Sequence, residues 1–91
     1  MERIRFTVVF VDEEVENEVR RLPKSIQKLV KTAIDERLAV APLSYGKPLR
    51  YSWRGHRSLR VSNYRIIYRV EQQKVIVTIV KVDIRRDAYD A

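Results

Sequence analysis

The fold is decided by residues 57–70, RSLRVSNYRIIYRV, in which apolar and basic side chains alternate on both sides of a polar dipeptide. This alternation predicts two strands, Ser58 to Val61 and Tyr64 to Val70. The dipeptide Ser62-Asn63 predicts a tight turn between them, because Asn tolerates a positive φ. Arg60 and Arg65 flank that turn, so both side chains can lie on one face near the same end of a sheet.

Two helices are predicted before this hairpin. A strand from Glu2 to Val11 alternates between apolar and polar residues. Asp12 is a suitable N-cap for the first helix, since three glutamates follow it where the helix dipole favours acids. Pro23 is expected to start a second helix, whose apolar residues continue at helical spacing to Leu38.

One further strand and a short tail follow the hairpin. Residues 75–80, VIVTIV, are apolar on both faces, which predicts the most buried strand of the sheet. A helical turn is expected from Asp83 to Tyr89. We therefore predict one α+β domain over residues 1–91, with the element order β-α-α-β-β-β. Its antiparallel sheet would carry the helical hairpin on one face.

Positive charge is concentrated in the second half of the chain. The net charge is +7. Residues 1–45 hold 8 basic and 8 acidic residues, whereas residues 46–91 hold 11 basic and 4 acidic residues. No acid occurs between Glu36 and Glu71, a stretch that contains seven arginines and one lysine. A solvated basic face would explain this asymmetry. Because the separation of charge is so complete, a polyanionic partner is favoured instead: nucleic acid first, an acidic protein second and an anionic membrane third.

A long segment without periodicity, residues 40–56, precedes the hairpin. Loops of this length are often functional. Leu49 and Trp53 are expected to fix the loop to the core, and stacking of Trp53 on a base is the alternative. His56 has no evident partner in the sequence and is interpreted as incidental.

Composition excludes most standard catalytic sites. The chain has no cysteine and one histidine, so disulfides, thiol nucleophiles and the usual zinc sites are not expected. No Gly-rich phosphate loop or serine-hydrolase motif occurs. We expect no cofactor, no metal and no membrane segment, and a cytoplasmic location.

Three stretches resemble the RelE/ParE toxin superfamily of bacterial and archaeal toxin–antitoxin pairs. They are Gly46-Lys47-Pro48-Leu49-Arg50, residues 57–70, and Arg85-Arg86-Asp87-Ala88-Tyr89. The core Leu-Arg-Val-x-x-Tyr-Arg-Ile-Ile-Tyr carries most of the specificity. The resemblance implies a small α/β domain with two helices on one side of an antiparallel sheet, and it covers nearly the whole chain.

The RelE branch of that superfamily is described as ribosome-dependent endoribonucleases that cut mRNA, and this branch is favoured here. By position, Arg60 and Arg65 resemble the sheet arginines at the scissile phosphate. Arg85 resembles the residue beside the leaving group, and Tyr89 resembles the tyrosine near the nucleophile. Lys47, Arg50, Arg57 and Arg86 would bind RNA.

Metal-free RNA cleavage requires a proton acceptor for the 2′-OH and stabilisation of the phosphorane charge. Tyr89 is the matched group that can accept a proton, because arginine is too weak a base. Neighbouring arginines would lower the pKa of this tyrosine. A 2′,3′-cyclic phosphate is the expected product.

One departure from the family pattern leaves a second reading open. Ile84 precedes Arg85, whereas many relatives have His or Lys there. The alternatives are a ParE-like poison of DNA gyrase and a degenerate module that only binds nucleic acid or the ribosome. Both toxin readings imply a cognate antitoxin with an acidic or amphipathic segment.

Overall fold

A computed structural model describes residues 4–84. Five strands and two α-helices make up this region: β1 (Thr7–Phe10), α1 (Glu13–Arg20), α2 (Lys24–Ala33), β2 (Lys47–Pro48), β3 (Arg57–Val61), β4 (Tyr64–Glu71) and β5 (Ile76–Ile84). A π-helical turn, Ile34–Leu38, extends α2, and a 3-10 turn, Tyr51–Trp53, lies between β2 and β3. The predicted α+β class and the order of the main elements are confirmed.

The strands form one sheet in the order β1-β5-β4-β3-β2. Pairing is antiparallel between β2, β3, β4 and β5, as predicted, but β1 runs parallel to β5. The sheet is therefore mixed rather than wholly antiparallel. Strands β1 and β2 lie at opposite edges of the sheet, so the helical hairpin between them crosses the sheet. This crossing leaves β1 beside the last strand, β5, with which it pairs.

Local signals fix the two helices as the sequence predicts. The Asp12 side chain accepts a hydrogen bond from the amide of Val15 at 3.0 Å and caps α1. Pro23 precedes the first residue of α2, where its missing N–H costs nothing. The second helix reaches Leu38, as expected, but its last turn is π-helical.

The core lies between the helices and one face of the sheet. From the helices it takes Val15, Val30, Ala33 and Leu38, and from the sheet it takes Leu59, Val61, Ile66, Tyr68, Val77, Ile79 and Val82. The register of β3 and β4 places Leu59 opposite Ile66, so the apolar positions of the two strands face the helices together. The intervening positions, including Arg60 and Arg65, lie on the other face, which we call the helix-free face.

The last strand is longer than predicted, and β4 rather than β5 lies at the centre of the sheet. Strand β5 continues from Ile76 to Ile84, so Asp83 is in a strand and not in a helical turn. The centre of the sheet is β4, where Ile66, Ile67 and Tyr68 are all 0% exposed. A register shift beside Ile67 and Tyr68 marks a bulge between β4 and β5.

Candidate nucleic-acid site on the helix-free face

Arg60 and Arg65 are directly opposite each other in the β3–β4 hairpin. Directly opposed residues share a face, with Cβ atoms about 4.5–5.5 Å apart. Like charges at such positions are destabilising in isolation. The structure therefore brings two predicted site residues together on the helix-free face, at the end of the sheet where the hairpin turns.

The two arginines differ in exposure. Arg65 is 4% exposed, whereas Arg60 is exposed and donates through Nε to the carbonyl oxygen of Ser62 at 3.4 Å. That distance is long for an N–H···O bond. Arg60 thus offers its guanidinium group to solvent, and Arg65 lies deeper in the sheet beside it.

An aspartate continues the same row. Asp83 on β5 is opposite Arg65, so the row runs Arg60, Arg65, Asp83 across three strands. The Asp83 carboxylate also lies 3.8 Å from Nζ of Lys81 and accepts a hydrogen bond from the amide of Ile84 at 2.7 Å. Asp83 is remote from the hairpin in the chain, so no local pattern in the sequence predicts an acid in this cluster. The register between β4 and β5 would have been enough to place Asp83 beside Arg65.

Ion pairs in the described part of the chain are local. Within residues 4–84, ion pairs join Arg20 to Glu16, Lys74 to Glu71 and Lys81 to Asp83. Each of these pairs is local to one element or turn. The Lys81–Asp83 pair lies on the helix-free face itself, so a carboxylate accompanies the cations there.

Of the predicted RNA-binding residues, Lys47 and Arg50 are exposed at the β2 edge of the sheet and in the loop that follows it. Lys47 pairs with Ser58, which is opposite Ile67 on the helix-free face. This register places Lys47 on the same face as the arginine pair, one strand further out.

Arg57 has a different environment. Its Nη2 donates to the carbonyl oxygens of Leu43 and Gly46 at 3.1 and 3.2 Å. Its partner across the hairpin, Tyr68, donates to the carbonyl oxygens of Pro42 and Tyr45 at 2.8 and 2.9 Å. We call Arg57 and Tyr68 the loop latch, because together they hold residues 42–46 through four carbonyl groups.

The latch depends on the absence of a side chain at Gly46. This residue has φ of 74°, and a Cβ atom there would clash with the Tyr68 hydroxyl and lie 3.0 Å from the Ser58 carbonyl oxygen. Burial raises the pKa of Tyr68 above its ordinary value of 10.0, and the nearby Arg57 partly opposes this rise. The phenol therefore stays protonated and can keep donating to the loop.

Trp53 and His56 contact each other in the loop between β2 and β3. Their rings are edge to face, with centroids 5.4 Å apart, and both residues are half-buried. This contact orders the loop from within, and the expected packing of Trp53 on the core stays a prediction. His56 gains a structural contact that the sequence did not indicate.

Three predicted site residues, Arg85, Arg86 and Tyr89, lie outside the described residues. The chain reaches them from Ile84, whose backbone is opposite Tyr64. Among the residues from 4 to 84, no three His, Asp or Glu side chains are grouped so that they could hold a metal ion. Neither helix in that range has the length and apolar content required to cross a bilayer.

Comparison with known proteins gives the family. Residues 9–89 match the model of the ParE toxin of type II toxin–antitoxin systems, parDE. Toxin RelG of Mycobacterium tuberculosis is 34% identical over 86 residues, which are 94% of this chain and 93% of the relative.

Solved structures agree with the sequence match. The toxin–antitoxin complex RelBE2 of M. tuberculosis contains a chain with a TM-score of 0.82 and 32% identity, covering 92% of this chain and 95% of that one. The intact E. coli RelBE complex gives 0.69 and 26%, covering 89% and 98%. The isolated E. coli RelE toxin shares the fold, with a TM-score of 0.71 and 24% identity over 93% of this chain and 92% of that one. The chain belongs to the ParE toxin family of type II toxin–antitoxin systems, within the RelE/ParE superfamily.

Proposed function

We propose that this protein is a toxin that cleaves mRNA on the ribosome, with Arg60 and Arg65 holding the scissile phosphate. The observation that carries this proposal is their direct opposition on the helix-free face. Arg60 is exposed, so its guanidinium group can donate charge-assisted hydrogen bonds to a phosphate that lies beside the Arg65 side chain. Arginine suits this task because its planar fork matches two phosphate oxygens at once.

The remaining chemistry falls to the tail. Tyr89 would accept or orient the proton of the 2′-OH, and Arg85 would stabilise the leaving oxygen. Asp83 is opposite Arg65, so the last described strand ends beside the arginine pair. The product would be a 2′,3′-cyclic phosphate, and no metal would be required. The ribosome would position the RNA, which supplies a large part of the rate.

A toxin of this family requires control, and we propose an antitoxin partner by analogy with the RelBE complexes. A groove of about 450 Å³ on the helical side is lined by Phe10, Val19, Val30 and Ile34 and is bordered by Lys24, Lys28 and Lys31. An amphipathic segment with acidic flanks matches both its apolar floor and its basic rim.

One experiment separates the proposed function from its alternative. Purified toxin is added to ribosomes loaded with mRNA, and in parallel to DNA gyrase with supercoiled plasmid. Cuts in the mRNA that need the ribosome and leave cyclic phosphate ends support the proposal. Trapped gyrase–DNA complexes without such cuts would contradict it.

A gyrase poison is the second candidate because the matching family model is that of the ParE toxin. Ile84 also stands where many RelE relatives have a titratable residue. In this case the same arginines would contact protein or DNA and would perform no chemistry. A third outcome, binding to the ribosome without cleavage, would indicate a degenerate module.

A further inference from the structure

The loop between β2 and β3 carries an aromatic side chain that the proposed chemistry does not use. Tyr51 is 79% exposed, the greatest exposure among the large apolar and aromatic side chains of the described residues. Single exposed aromatic residues are common on surfaces. Tyr51 differs from such residues in its backbone conformation and in its neighbours.

The backbone of Tyr51 has φ of 58°. A side chain in this left-handed region costs free energy that glycine would not incur. Ser62 and Val75 also have positive φ, but each lies at a turn between consecutive antiparallel strands, where such values are common. Tyr51 instead opens a 3-10 turn and directs an aromatic ring outward. Strain of this kind at an exposed ring is a reason to look for a function.

The loop around Tyr51 is ordered from within. The amide of Leu49 donates to the carbonyl of His56 at 2.9 Å, which closes residues 49–56 at their base. Trp53 and Arg54 donate to the carbonyls of Arg50 and Tyr51 at 3.1 and 3.0 Å. Together with the edge-to-face contact of Trp53 and His56, these bonds make a compact tip. The tip therefore presents Tyr51 without depending on a partner.

The charges near Tyr51 identify the class of ligand. Arg50 and Arg54 flank it, both are exposed, and Lys47 lies on the adjoining edge strand. No acidic residue occurs in the sequence from 37 to 70. An aromatic ring surrounded by cations is the arrangement that proteins use to stack a base and hold its phosphates.

We infer that Tyr51 stacks on an unpaired base of RNA, while Arg50 and Arg54 contact the adjacent phosphates. This inference rests on the proposed function, which it extends to a second contact with RNA. Arg57 and Arg60 are three positions apart on β3, roughly 10 Å along the strand. The tip joins β3 at its Arg57 end. The stacked base therefore lies away from the phosphate that Arg60 and Arg65 would hold. It belongs either to the mRNA beside the cut or to ribosomal RNA.

The test compares three substitutions of Tyr51. Tyr51→Phe keeps the ring, Tyr51→Leu keeps an apolar side chain without it, and Tyr51→Gly removes both ring and strain. Leu29→Ala on α2 is the matched control, because Leu29 is another exposed apolar residue and is remote from the loop. Affinity is measured for a short single-stranded oligoribonucleotide and for the same oligonucleotide with abasic positions.

We expect Tyr51→Leu and Tyr51→Gly to weaken binding of the normal oligonucleotide about 5- to 150-fold, the range expected for one lost stacking contact. Tyr51→Phe and Leu29→Ala should stay within about 3-fold of the wild type, since neither removes a stacked ring. The wild type and Tyr51→Leu should bind the abasic oligonucleotide with equal affinity. The slope of affinity against salt should not change, since phosphate contacts set it. Tyr51→Gly should unfold at the same or higher denaturant concentration, which separates lost binding from lost structure.

Ribosomes distinguish the two sources of the base. Weaker binding of Tyr51→Leu to ribosomes without mRNA assigns the base to ribosomal RNA, and an effect only with mRNA assigns it to the message. The inference would be overturned if Tyr51→Leu bound the normal oligonucleotide as tightly as the wild type does, even if both proteins cleave mRNA. Loss of base discrimination in a protein that does not cleave would support the inference and contradict the nuclease. An effect confined to antitoxin binding would also overturn it.

Discussion

The hydroxyl group of Tyr68 lies 2.8 Å from the carbonyl oxygen of Pro42, a hydrogen bond between residues 26 positions apart. Tyr68 is 0% exposed and belongs to the core, whereas Pro42 begins the segment that leads to the basic edge strand. The bond thus connects the most buried strand to the segment that leads to β2, the strand that carries Lys47. Its consequences can be measured separately from catalysis.

Tyr68→Phe should lower the free energy of unfolding by about 1–3 kcal/mol, because it leaves buried carbonyl groups of the loop without their donor. Urea denaturation of the purified protein measures this change. Tyr64→Phe is the control, since the Tyr64 hydroxyl makes no hydrogen bond within residues 4–84 and its loss should change stability by less than about 0.5 kcal/mol. Equal effects of the two substitutions would contradict the role assigned to the latch.

The same tyrosine predicts a dependence on pH. Burial raises the pKa of Tyr68 in the folded state above 10.0, so the unfolded chain loses this proton first. Stability from this group is therefore complete below the unfolded pKa and falls as pH rises above it toward the folded pKa. Unfolding should be measured at about pH 8 and about pH 11. The wild type should lose more stability over this range than Tyr68→Phe, and a parallel loss in both proteins would exclude the assignment.

Two glycines allow steric overlap to be separated from backbone strain. Gly46 and Gly55 have φ of 74° and 92°, but a Cβ atom meets nothing within 4 Å at Gly55, whereas at Gly46 it meets the Tyr68 hydroxyl. Gly55→Ala should cost about 1–2 kcal/mol from strain alone. Gly46→Ala should cost more, and part of the excess should disappear in combination with Tyr68→Phe. Additive costs in a double-mutant cycle would show that the overlap is absent.

Asp83 is expected to moderate the affinity of the helix-free face for RNA. Asp83→Asn preserves shape and removes one negative charge opposite Arg65. Binding of a single-stranded oligoribonucleotide at low salt should become tighter by about 2- to 10-fold, because a nearby carboxylate no longer repels phosphate. Asp35→Asn, in the π-helical turn after α2, is the control for net charge. If the two variants gain affinity equally, only net charge matters and Asp83 has no special position.

The hairpin and the arginine pair could be predicted from sequence because their signals are local. The alternation around Ser62-Asn63 fixes both strands and the register that opposes Arg60 to Arg65. The parallel pairing of β1 with β5 could not be predicted in this way, since it joins segments separated by the whole domain. The two-residue strand β2 contains Pro48 and has too few residues for any alternation to show.

The environments of individual side chains could not be predicted from local sequence patterns either. Arg57 and Arg60 look alike in the sequence, yet one holds a loop and the other is exposed. Asp83 enters the site only through pairing between strands. The central position of β4 follows from the strand order, whereas the apolar composition of residues 75–80 favoured β5. In each case the deciding factor is a contact between distant parts of the chain.

Arg60→Ala tests the central claim most directly, because Arg60 is exposed and its loss should leave the fold intact. Single-turnover cleavage of mRNA on the ribosome should fall by at least about 100-fold, as expected when a group that stabilises phosphorane charge is removed. Arg65→Lys should also lose activity, since lysine keeps the charge but not the planar fork. Arg20→Ala, on the exposed side of α1, should cleave like the wild type. Cleavage by Arg60→Ala at the wild-type rate would show that the opposed arginines do not hold the scissile phosphate.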